Sequence, residues 1–111
     1  MIGSLKEEVL LAVARLGPRV ISADVHDAIN EARKSERGKG LSFAAVFNTL
    51  KRLTDDEMLD TGKSKTLHRG KPMVAYTINA TGERALEEAS AIRRHIAARK
   101  NRSELGGLAH A

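Results

Sequence analysis

Leu5, Val9, Ala12, Val13 and Leu16 fall on one stripe at helical spacing, which predicts a helix from Ser4 to Leu16. Ser4 and Glu7 have capping-box spacing, and Gly17-Pro18 ends the element. Leu10 and Leu11 fall on either side of the opposite face, which is either chance or a broad buried face, or a second packing surface for a partner helix or subunit. A second helix is expected from Ser22, as N-cap, to Arg33, with Val25, Ala28, Ile29 and Ala32 as its apolar face. Lys34 to Gly40 is charged and reads as an exposed loop. A third helix is expected from Ser42, again the cap, to Thr54. Phe43, Val46, Phe47, Leu50 and Leu53 line its apolar side. The other side carries Ala44, Ala45, Asn48, Thr49 and Arg52, with Lys51 at its margin.

The pattern then changes. Met58 to about Lys65 and Met73 to Ile78 read as two strands, joined by a loop over Thr66 to Pro72 that contains Gly70. Asn79 can cap a last helix, from Ala80 to about Arg102. Its apolar positions Ala85, Ala89, Ile92 and Ile96 form a narrow stripe, as in a helix–helix seam. The tail from Ser103 contains Gly106-Gly107 and is expected to be disordered. The order helix, helix, helix, hairpin, long helix predicts a mostly α winged helix-turn-helix with a two-stranded β wing over 1–79, a C-terminal dimerisation helix over 80–102, and a tail over 103–111. In that arrangement the third helix is the natural candidate for the major groove of DNA.

Charge sharpens this picture. The chain carries 19 Lys and Arg against 14 Asp and Glu, a net +5. Between Thr61 and Gly82 the basic residues Lys63, Lys65, Arg69 and Lys71 meet no acidic one. A basic wing tip of this kind can neutralise phosphates, and His68 can add a hydrogen bond. On the third helix, Asn48 can read adenine or bond a phosphate, Thr49 can donate to a phosphate, and Arg52 can do either. Lys51 suits a phosphate. Ala44 and Ala45 are small enough to let the backbone approach a groove floor. With Ser42 at the helix start, these residues form the expected DNA surface. Leu10, Leu11, Ala85, Ala89, Ile92 and Ile96 form the expected dimer interface.

Other chemistry finds little support. There is no Cys, which excludes disulfides and thiolate sites and is compatible with a cytoplasmic location. The four His, at 26, 68, 95 and 110, have no metal-ligand spacing, and the glycines form no phosphate-cradling loop. No apolar run is long enough to span a membrane, and the N-terminal pattern is not that of a signal peptide. The expectation is a non-enzymatic regulator without cofactor or metal. The alternative is a winged-helix module that binds another protein, its DNA binding weak or lost.

The segment LSFAAVFNTLKRLTDDEML resembles the third helix and following turn of PadR-family regulators. Phe47 stands where that family has Tyr, followed by Leu50, Arg52 and Leu53. Glu57 stands where Gly is usual, before Met58 and Leu59. The run Tyr76, Thr77, Ile78, Asn79, Ala80, Thr81, Gly82 is similar to the family's second signature, with Asn79 replacing a capping Thr. The opening LKEEVLLAVARLG is also similar. Penicillinase repressors share the layout, but the Tyr76-to-Gly82 run fits the PadR pattern better. The resemblance covers residues 5 to about 90 and implies a dimeric repressor of the short form, its single C-terminal helix making the dimer. Some such members bind flat aromatic effectors at the dimer interface; this chain has no Trp to serve as a stacking platform.

Overall fold

A computed structural model describes the backbone of residues 4–110 and the side chains of residues 4–98. The elements run α1 (Ser4–Leu16), β1 (Val20–Ile21), α2 (Ser22–Ser35), α3 (Phe43–Asp55), β2 (Leu59–His68), β3 (Lys71–Ile78) and α4 (Ala80–His110). The four helices and the hairpin lie where the apolar pattern puts them. α4 is longer than the helix expected over Ala80 to about Arg102 and takes in the backbone of 103–110, in place of the expected disordered tail.

Val9, Leu10 and Val13 of α1, Val25 and Ile29 of α2, and Val46, Leu50 and Leu53 of α3 close one core with Val20, Leu59 and Tyr76 of the sheet. Leu10 is therefore not on a second surface, as its position opposite the apolar stripe suggested. The face α1 buries is broader and rotated, because the helix contacts α2 and α3 as well as α4 and β3. Leu16, assigned to the core stripe, is exposed. It closes the last turn, where Gly17 N–H bonds the Val13 carbonyl and the chain leaves the helix. Burial pushes the Tyr76 phenol above its ordinary pKa, so it stays neutral in the core.

The sheet has three antiparallel strands in the order β1-β3-β2, one more than the expected hairpin. Val20 pairs with Tyr76 and Ile21 with Ala75. Two residues are too few to show an alternating pattern, so the strand is silent in the sequence. The β2–β3 hairpin also extends further than expected. Its turn is two residues, Arg69 (φ 52) and Gly70 (φ 78), a pair of positive values that matches the twist of the flanking strands. Between Lys63 and Leu67 the register shifts, and Ser64 Oγ both donates to the Thr66 carbonyl and accepts from Thr66 N–H. The loop expected over Thr66 to Pro72 is thus mostly bulged and paired strand.

Polar side chains set how the helices meet. Ser42 caps α3, its Oγ accepting from Ala45 N–H at 3.1 Å. Ser22 is not the cap of α2. It lies buried in the first turn, Ile21 occupies the cap position, and no side chain bonds the free N–H groups there. The Asn30 carboxamide accepts from Leu41 N–H (2.7 Å) and donates to the Leu41 carbonyl (3.0 Å), which pins the loop just before α3. Arg33 grips both Glu8 oxygens at 2.8 and 2.7 Å and also donates to the Lys39 carbonyl. This bidentate bond holds the Glu8 carboxyl below the usual carboxylate range and raises the Arg33 pKa. The clasp is intact at neutral pH and is lost as acid protonates Glu8.

α3 ends in a double-bonded cap: Met58 N–H reaches the Leu53 carbonyl and Glu57 N–H the Thr54 carbonyl, both at 3.0 Å. Glu57 sits there at φ 60, a conformation that favours glycine. Glu57→Gly is expected to raise stability by about 0.5–1 kcal/mol, read as a higher urea midpoint at unchanged slope. A lower midpoint would show that the Glu57 side chain contributes something the strain argument omits.

Asn79 joins this turn to the last helix. Its Nδ2 donates to the Glu57 carbonyl (2.8 Å) and to Asp60 Oδ1 (3.1 Å), and its Oδ1 accepts from Gly82 N–H (2.9 Å). Asn79 thus caps α4, as its position in the sequence suggests. Gly82 packs so closely that a Cβ there would sit 2.4 Å from the Met58 carbonyl oxygen. The Asn79-to-Gly82 spacing is the means by which α4 starts tight against the base of the wing.

Candidate nucleic-acid interface

The surface of α3 is two adjacent rows, each stepping four residues: Phe43, Phe47, Lys51 and Ala44, Asn48, Arg52, all exposed. Asn48, Lys51, Arg52 and Ala44 therefore stand free, as expected. Ser42 is exposed, but its hydroxyl is engaged in the cap, and Ala45 is half-buried. Two expectations are corrected. Thr49 is only 3% exposed, and its hydroxyl donates to the Ala45 carbonyl at 2.7 Å, so no donor remains for a phosphate. Phe43 and Phe47, assigned to the core side, are 46% and 38% exposed.

The cause is a rotation of the buried face toward Val46, Thr49, Leu50 and Leu53. A threonine can go inward because its hydroxyl is satisfied one turn back along the helix. The phenyl rings then gather outside. Phe43 and Phe47 lie nearly parallel, 13° between planes and 6.1 Å between centroids. Lys51 Nζ sits 6.0 Å over the Phe47 ring, and the His26 ring tilts against Phe43 at 5.9 Å.

The wing brings the second charged group. Lys63, Lys65, His68, Arg69 and Lys71 are all exposed on β2, β3 and their turn. The bulge re-aims the middle of β2 and leaves a cleft of about 280 Å³ against the start of α2, lined by Arg19, Ile21, Asp24, Ser64, Lys65 and Thr66. Arg19 belongs to this surface although nothing in its sequence setting marks it. Its guanidinium donates to the Lys63 carbonyl, and its N–H to Thr77 Oγ1. Two of the acidic side chains that precede the wing are turned to other work: Asp56 pairs with Lys6 at 2.7 Å and Asp60 accepts from Asn79.

The residues expected at a dimer interface divide. Leu10 is in the core, Ala89 is buried and Ala85 packs on the core, all within one chain. Glu7 and Arg93 form an ion pair that ties α1 to α4. Leu11 (40%), Ile92 (42%) and Ile96 (60%) remain exposed. Leu11 and Leu16 line an open groove of about 300 Å³ between α1 and α2, with Ala12, Ala28, Ile29 and Ala32 along it. Among the described residues no cluster of His, Asp and Glu could hold a metal ion, and no helix is long and apolar enough to cross a membrane.

No family model matches the sequence, and no curated protein does. Solved structures match by shape. A PadR family transcription regulator from Clostridium difficile superposes with a TM-score of 0.66 over 90% of this chain and 97% of that one, at 16% identity. A PadR-like transcriptional regulator from Bacillus cereus gives 0.66 over 87% of each chain, also at 16% identity. PadR of Bacillus subtilis, in complex with operator DNA, gives 0.63 over 78% of this chain and 46% of that one, at 15% identity. With its three helices, hairpin wing and long final helix, this chain has the PadR-like winged helix-turn-helix fold.

Proposed function

We propose that this chain is a sequence-specific DNA-binding transcriptional regulator that acts as a dimeric repressor, with α3 in the major groove and the wing on the phosphate backbone. The observation that carries this reading is the free outer face of α3. Asn48 and Arg52 stand side by side there, able to make base-edge hydrogen bonds, and Lys51 flanks them. No acidic residue interrupts α3 between Phe43 and Thr54. The exposed Lys63, Lys65, Arg69 and Lys71 of the wing supply positive charge that fits phosphates rather than bases. That a structure of this fold is in complex with operator DNA supports DNA as the partner. A helix-turn-helix dimer spans two half-sites, and the exposed Ile92 and Ile96 support a second copy as partner.

The exposed phenyl pair favours a second reading, a module that docks another protein through α3. Salt separates the two. A duplex recovered by binding-site selection from a random pool is titrated with the purified protein at rising salt. Each neutralised phosphate contributes about 0.9 to the log–log slope, so a dimer using its wings on both half-sites is expected to show a slope of several units. Recovery of no duplex, or a slope near zero, would overturn the DNA reading in favour of the protein module.

A further inference from the structure

Phe43 and Phe47 lie outside the hydrophobic core cluster, yet they are not loose. Phe47 is held between the Phe43 ring and Lys51, and Phe43 between Phe47 and the His26 ring. His26 is itself fixed, with Nε2 3.2 Å from the Leu41 carbonyl oxygen and Nδ1 3.0 Å from Asp27. The result is a preformed apolar patch on the N-terminal half of the α3 face. Donors border it: Asn48 and Arg52 in the adjacent row, and Lys51 at its end.

A surface that complements this patch must be apolar in small spots, rich in acceptors around them and negative at its edges. The major groove of DNA has that composition only where it carries the 5-methyl group of thymine. A phenyl ring against a methyl-free pyrimidine edge gains little and covers polar base atoms that lose water without a partner. Ala44 beside the rings is small, so at the start of the helix the rings can approach the groove floor. Phe47 lacks the hydroxyl that a tyrosine would offer to a phosphate, so its contribution is apolar contact.

We infer that Phe43 and Phe47 are specificity-determining residues that read thymine methyl groups in each half-site. This rests on the DNA-binding reading above and adds to it what the bases must carry. The ring centroids are 6.1 Å apart. That is roughly two base-pair steps at 3.4 Å per step, so the two methyls lie one or two steps apart. Burying one methyl is worth about 0.8 kcal/mol, which is about fourfold in affinity.

The test removes the methyls and nothing else. The duplex recovered by selection is compared with the same duplex containing deoxyuridine in place of every thymidine. The wild-type protein is expected to bind the uracil duplex at least fourfold more weakly, and up to about 10²-fold if all four rings of a dimer engage. Phe43→Ala and Phe47→Ala, made singly, are each expected to bind the thymine duplex more weakly and to lose part of the uracil penalty. Thermal melting of each variant checks that the fold is kept, as expected for exposed positions. Equal wild-type affinity for both duplexes, with strong binding to each, overturns this inference and leaves the DNA reading standing. A uracil penalty undiminished in both variants also overturns it, because the methyls then act through DNA shape. If selection recovers no duplex, both readings fall together.

Discussion

Leu10→Ala is expected to lower the stability of the chain by about 3 kcal/mol, near the middle of the range for truncating a fully buried leucine. Leu10 has no solvent-exposed surface and sits among the side chains that join α1 to the rest of the core. Removing three carbons leaves a void that the surrounding helices close only in part, so the loss exceeds the transfer energy alone. Leu11 is its neighbour in sequence and the opposite in surroundings. At 40% exposure it lies on the rim of the α1–α2 groove, and Leu11→Ala is expected to change the stability of the isolated fold far less. Urea denaturation reads the first effect as a lower midpoint at unchanged slope. A Leu10→Ala variant with an unchanged midpoint would mean that Leu10 is not part of the core beside Val9 and Val13.

That pair of residues shows where sequence pattern fails. Periodicity alone locates α1, α3 and the hairpin, because a helix with one apolar side and a strand with turn residues at its end each leave a regular trace. It does not fix the rotation of a helix about its own axis. α1 meets neighbours on two sides, so Leu10 is drawn inward and Leu16, at the helix end, is left outside. α3 turns the same way, for a different reason: Thr49 is polar by composition but satisfied by the Ala45 carbonyl, and its burial sends Phe43 and Phe47 out. Asn48, Lys51 and Arg52 were legible as a surface because charged and amide side chains have no comparable local partner. The cap residues Ser42 and Asn79 were legible because capping is a short-range interaction. Arg19 and β1 were not, since both depend on pairing across more than 40 residues of chain.

Ile92→Asp together with Ile96→Asp is expected to convert the proposed dimer to a monomer and to weaken operator binding by several orders of magnitude. Among the residues with described side chains, α4 is anchored to its own domain by the Asn79 cap, by Ala85, Leu86 and Ala89, and by the Glu7–Arg93 ion pair. Residues 91–98 are all exposed, so this stretch of the helix has no cover from its own chain. Ile92 and Ile96 sit one turn apart on that uncovered stretch, while the α1–α2 groove presents Leu11 and Leu16. A two-fold arrangement that seats the isoleucines of each protomer on α1 and α4 of the other covers both apolar surfaces at once. For such a dimer to use both α3 helices on DNA, they must stand about 34 Å apart, one turn of the duplex. Fully burying an isoleucine contributes roughly 1.5–3 kcal/mol, and two from each protomer are lost in the variant. An aspartate in their place must also be desolvated without a partner, which disfavours reassociation. Both positions are exposed in the monomer, so the fold itself is expected to survive, and thermal melting checks that it does. Sedimentation at micromolar concentration then decides the matter. A wild-type chain that sediments as a monomer, or a folded double variant that stays dimeric, would show that α4 does not make the dimer.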